Sequence, residues 1–220
     1  MTHRVAKQHR GKAPRGRTDS KSTNAADRMS FYRVPLVCKA APRFGCGTRA
    51  KPVLQGLKRQ PGISEAWLNR AGNVIAIAGS TRGRGSALEV LRRHRVKAEP
   101  LRGEPLETAL RTFASSSGWY CAAEVDRLSY EEARAIARRL TARLCARTEM
   151  AQTRTNDLEN AIVAACAHEL INNRTQSALA RNKRLAKAVL AAAQRHLDDT
   201  LFGTFADVVR LGHRPRPGEV

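Results

Sequence analysis

Tyr32-Arg33-Val34-Pro35-Leu36-Val37-Cys38, with the loop Ala41-Pro42-Arg43-Phe44-Gly45-Cys46-Gly47-Thr48-Arg49 behind it, decides how this chain is read. The first stretch predicts a strand. Thr48 predicts the N-cap of a helix whose first turn tolerates Pro52. Val53, Leu54 and Leu57 give that helix one apolar stripe, and Pro61-Gly62 ends it. Ile63–Asn69 predicts a second strand, and Arg70-Ala71-Gly72-Asn73 a turn. Val74–Ala78 is an unbroken apolar run, as in a strand inside a sheet. A Gly-rich loop, Gly79–Gly85, leads into a helix reaching His94, with Ser86 and Glu89 as its capping box. Val96–Leu101 predicts a fourth strand. The order is βαββαβ, the split ferredoxin-like arrangement.

Composition changes after Pro105. Helices are predicted over Glu107–Ser115, from Ser129 and Glu132 to Arg147, from Asn156 and Glu159 to Ile171, over Gln176–Leu197 and over Leu201–Leu211. The expected fold class is therefore α+β: a basic tail (1–30), a ferredoxin-like unit (31–105), an all-helical domain (106–212) and a short tail (213–220).

The formal charge is +21, unevenly spread. Residues 1–30 carry +6, residues 31–105 carry +11 and the remainder +4. Such a field attracts acidic partners: nucleic acid, an anionic membrane surface or an acidic protein surface. Residues 1–30 lack an apolar segment of signal-peptide type, and no run of about 18 apolar residues exists to span a membrane. Five cysteines at irregular spacing (38, 46, 121, 145 and 166) read as reduced thiols of a cytoplasmic protein. Cys121, Cys145 and Cys166 are expected to fill the helical core. Cys166 and His168 are two apart on a helix and share no face. Glu131-Glu132 and Asp198-Asp199 read as helix-end surface charges. There is no catalytic triad, no His-Glu-x-x-His and no paired-carboxylate motif, so the expectation is a protein that is not an enzyme.

The element order and several landmarks over about residues 32–101 resemble the heavy-metal-associated domain of soft-metal chaperones and metal-pumping ATPases. In that family a Gly-Met-x-Cys-x-x-Cys loop joins the first strand to the first helix, and Pro-Gly-Val follows the helix. Gln60-Pro61-Gly62-Ile63 stands in the Pro-Gly-Val place. Counting back puts Cys46 at the first metal cysteine and Arg49 at the second. The resemblance implies handling of a soft ion, copper or zinc, at Cys46, or a docking module that has kept the fold and lost the metal. Arg49 is no ligand, so a second one must come from Cys38, another subunit or a partner protein. Cys38 itself, on an apolar strand, also reads as a core residue. Cys46, before a helix and near Arg43 and Arg49, also suits a low-pKa redox thiol. Positively charged domains of this family dock on acidic partner domains, and the helical half is the expected site of dimerisation or of a further partner.

Nucleic-acid binding is the alternative, with the basic tail and Arg43, Arg49, Arg82 and Arg84 on phosphates. The Gly79–Ser86 loop follows a strand and opens a helix, a position where backbone N–H groups bind phosphate. It lacks the Gly-Lys-Ser/Thr of a P-loop, and Leu88 stands where a dinucleotide fingerprint needs glycine. Aromatics for stacking on bases are few: Phe31, Tyr32, Phe44 and Trp67.

Overall fold

The computed structural model describes residues 29–115, 117–173 and 177–219. Of the expected basic tail (1–30), residues 1–28 lie outside them, as does the expected helix start at Gln176; Met29 and Ser30 belong instead to the first strand. Five strands and seven helices are described: β1 (Met29–Arg33), α1 (Gly47–Lys58), β2 (Ile63–Asn69), β3 (Val74–Gly79), α2 (Thr81–Arg93), β4 (Glu99–Pro100), α3 (Gly103–Ala114), β5 (Trp119–Cys121), α4 (Asp126–Cys145), α5 (Gln152–Asn172), α6 (Ala178–Ala193) and α7 (Asp199–Arg210). The strands form one antiparallel sheet in the order β4-β1-β3-β2-β5.

Both faces of the sheet are covered, which is why β3 is apolar throughout. Ile75 and Ile77 turn to the side of α1 and α2, packing with Leu54, Leu57, Ala87, Val90 and Leu91. Ala76 and Val74 turn to the other side, under Ala109 and Phe113 of α3. Phe113 stands edge-on to Phe31, Trp67 and Trp119 at centroid distances of 5.2–5.8 Å. Phe31 and Tyr32 are buried, and Phe44 lies under the Arg70 guanidinium. The aromatics considered for stacking on bases are thus spent on packing.

Several boundaries differ from expectation, each for a local reason. The first strand ends at Arg33; Val34 and Leu36 continue extended but donate to the carbonyls of Asn73 and Gly72 in the β2–β3 turn. The second half is not purely helical, because β5 pairs with the outer edge of β2. The boundary expected after residue 105 falls inside α3, which packs on the sheet. The fourth strand shrinks to Glu99–Pro100, paired with β1. The glycine-rich loop belongs to α2: Ser80, not Ser86, is the N-cap, accepting from Gly83 N–H. Gly83 is there for close approach, since a Cβ on it would stand 2.5 Å from Gly62 O.

Helices α4 to α7 form a second core, and two cysteines of the loop between β1 and α1 belong to it. Cys38, Ala40, Ala41 and Cys46 pack with Ile136, Leu140, Cys166, Leu170, Leu185 and Phe205. That insertion ties the sheet to the helical layer and creates the site below.

Candidate metal centre

The segment from Leu36 to Cys46 folds back on itself as a small hairpin. Cys38 N–H donates to Phe44 O (2.8 Å), Cys46 N–H donates to Leu36 O (2.7 Å), and Val37 pairs with Gly45. Leu36, Cys38 and Cys46 therefore project from the same face of this hairpin. Gly45 N–H donates to Arg70 O and anchors the tip on the β2–β3 turn. Cys46 is the residue before α1, at its N-cap, and Gly47 lets the helix start close against α4. Thr48, expected as the cap, instead sends its hydroxyl to Leu170 O of α5 at 3.2 Å, a buried bond between helices.

The third member comes from α4. Glu132 sits one turn from both Leu128 and Ile136, inside the buried stripe of its helix, and is only 6% exposed. The ligand atoms of Cys38, Cys46 and Glu132 all lie within 4.8 Å of one another, and all three residues are buried. One carboxylate oxygen, Glu132 Oε2, is buried without a hydrogen-bond partner among the described residues. A buried lone carboxylate oxygen is costly to leave unsatisfied.

Electrostatics divide the three groups. The Cys46 thiol is pulled down, first by the hydrogen bond from Cys38, with the Arg49 backbone N–H and the Arg181 charge helping. Cys38 is pushed up as the donor in that bond, and burial and the Glu132 charge act in the same direction. Burial pushes the Glu132 carboxyl up, opposed by Cys38 and Arg181. The arrangement places the thiol whose ionisation is favoured at a helix N-terminus, beside a thiol and a carboxyl whose ionisation is disfavoured. Cys166, also buried, is pushed up to about 12 by desolvation and by Glu132.

The site opens on a cavity of about 280 Å³. Lys39, Arg49, Arg181, Arg214, Asn182 and His213 supply most of its polar wall. His213 is held down to about 4, by burial first and then by neighbouring arginines, so its imidazole is neutral at pH 7.

The donor set fits a soft or borderline ion: two sulfurs and one carboxylate oxygen are ligands that zinc accepts. Of the expected site residues, the fold brings Cys46 and Cys38 together. Cys46 is buried, covered by the helical layer. Arg49 donates to Pro35 O and lines the cavity wall. Arg43 lines a separate groove with Arg138, Arg139 and Arg143. Arg82 and Arg84 belong to α2, so the four expected phosphate contacts are spread over separate elements. Cys145 is exposed and Cys121 is half-buried on β5, so neither fills the helical core.

Glu132 is the residue that sequence reading missed. It looked like the partner of Ser129 in a capping box, yet both are buried within α4. Its neighbour Glu131 is the surface charge, paired with Arg70 at 3.2 Å. The available signal was a carboxylate at i+4 from Leu128 and i−4 from Ile136, on an apolar stripe. Comparison with protein-family models, with curated proteins and with solved structures found no match.

Proposed function

We propose that this chain is a non-enzymatic binding protein for a metal ion of the copper–zinc class, held by Cys38, Cys46 and Glu132. The observation that carries the reading is Glu132 Oε2, without a hydrogen-bond partner among the described residues and buried beside two thiols within bonding reach of one ion. The mixed sulfur–oxygen set favours a zinc-type divalent ion over Cu(I), which prefers sulfur alone. The hydrogen bond to Cys46 and burial raise the Cys38 thiol, and burial raises the Glu132 carboxyl, so each holds its proton more tightly than it would in water. Metal ligands must be deprotonated to bind, so affinity should rise with pH.

The strand order β4-β1-β3-β2 supports reading the first unit as ferredoxin-like, of the heavy-metal-associated type, with β5 added to one edge. In this reading the metal site is rebuilt rather than lost. Cys46 keeps the family's first thiolate position, Arg49 replaces the second, and Cys38 with Glu132 takes over from it. The basic surface serves to dock an acidic partner protein, and the thiols require a reducing compartment such as the cytoplasm.

The test is elemental analysis of chain purified without chelators, followed by Zn(II) and Cu(I) titration. One ion per chain is expected, lost in C38S, C46S and E132Q and retained in C145S, whose thiol is exposed and remote in the fold. A wild-type chain that binds neither ion, or a C38S/C46S double variant that binds as well as wild type, overturns the proposal.

A further inference from the structure

Three protein ligands leave the fourth position of a tetrahedral ion open. Here that site borders a cavity of about 280 Å³, close to the lower size limit of small-molecule pockets. The cavity is strongly one-sided in charge. Lys39, Arg49, Arg181 and Arg214 line it, against the single carboxylate of Glu132. A divalent ion on two thiolates and one carboxylate makes the centre mono-anionic, so the wall keeps a surplus of positive charge.

Arg181 is the central cation of this wall. It is half-buried on α6, where its backbone N–H donates to Ser177 O at 3.0 Å, and its guanidinium charge acts on both Cys46 and Glu132. Arg49 is steadied by Pro35 O. Asn182 adds an amide, and neutral His213 adds no competing charge. Guanidinium groups bind carboxylates bidentately, while the open position of a soft ion favours sulfur.

Resting on the metal proposal, we infer that the cavity receives a small carboxylated thiol, with its sulfur on the ion and its carboxylates on Arg181 and Arg214. The incoming S–H gives its proton to solvent as the sulfur–metal bond forms; no electron is transferred and no bond to carbon breaks. Such a molecule is the form in which a soft ion would reach or leave a site buried this deeply.

The test uses the full chain loaded with Cd(II) and titrated calorimetrically with mercaptosuccinate, 2-mercaptoethanol and succinate. Mercaptosuccinate should bind at least about tenfold more tightly than the neutral thiol, because each charge-assisted carboxylate contact contributes on the order of a tenfold factor. Succinate, lacking sulfur, should bind weakest. R181Q and R214Q, compared as Cd(II)-loaded chains, should each remove about tenfold from mercaptosuccinate affinity and lower 2-mercaptoethanol affinity less. R181K, which keeps the charge, should recover part of the loss. Equal affinity for the charged and neutral thiols on Cd(II)-loaded chain overturns the anion site and leaves the metal proposal standing. A chain that takes up no Cd(II) overturns both.

Discussion

Gly47 is the first residue of α1, directly after Cys46, and G47A tests whether the site depends on the contact between α1 and α4. A Cβ at this position would stand 2.5 Å from Ser129 Oγ, 2.8 Å from Val125 O and 3.0 Å from Ser129 N. Two of those three atoms are backbone, so a side-chain rotation cannot relieve the overlap. The helices must part, and overpacking of this kind costs about 1–3 kcal/mol. The gain from replacing glycine in a helix, about 0.5–1 kcal/mol, offsets part of that. The net loss is therefore about 0–2.5 kcal/mol, centred near 1 kcal/mol, or a fall in Tm of about 2–4 °C at that centre for a chain of this size. Gly85 is the control: it lies on α2, exposed, with nothing within 4 Å of an added Cβ. G85A should raise stability by about 0.4–1 kcal/mol. Separation of α1 from α4 also draws Cys46 away from Glu132, so G47A should weaken Zn(II) binding while G85A leaves it alone. Urea and thermal unfolding read the first effect and competition against a chromogenic chelator reads the second. A G47A protein as stable as wild type, with undiminished Zn(II) affinity, would refute the reasoning.

Further consequences concern pH, the C-terminal segment and the sheet. His213 is held near 4 in the folded chain, below its unfolded value of about 6.5. The unfolded chain thus binds more protons between those values, and the stability due to neutral His213 is complete above about pH 6.5 and is lost as pH falls toward 4. The wild-type advantage over H213Q in Tm should shrink across that window; a constant difference would contradict it. Arg143 of α4 donates to Arg214 O at 2.8 Å, contacts Gly212 O, and holds Glu219 by two bonds of 2.6 and 2.9 Å. R143A should release this strap by about 1.5–3 kcal/mol, seen as faster limited proteolysis after Gly212 than in wild type. Truncation of half-buried Phe113, which sits edge-on to Trp67 and Trp119, should cost less than the ~3–5 kcal/mol of a fully buried phenylalanine and shift tryptophan emission to the red. Unchanged emission in F113A would show that α3 does not cover that face.

Local sequence carried much of the fold. The strand Ile63–Asn69 was legible from Pro61-Gly62 before it and a turn after it, and both boundaries match. The helices were legible from their 3.6-residue apolar stripes, although most of their starts shifted. The glycines near residue 83 misled because glycine signals flexibility and close approach in the same letter; only the neighbouring Gly62 carbonyl shows which applies. Strand β5 is three residues long, and it exists because the edge of β2 offers hydrogen bonds to it. No periodicity can be read from so short a segment.

The sequence alone determined that a cysteine stands between two glycines at the start of a helix, that Arg49 rather than a second thiol follows it, and that the first unit is strongly basic. These are properties of neighbouring residues. Tertiary structure decided what surrounds that cysteine. It buried Cys46 under the helical layer, turned Cys38 onto the same face of a small hairpin, and brought Glu132 from α4 to within 4.8 Å of both. The physical reason is that a carboxylate on an apolar stripe looks, to its own helix, like any interrupted amphipathic pattern. Its meaning depends on the hairpin packed against it, and that partner lies far away in the chain.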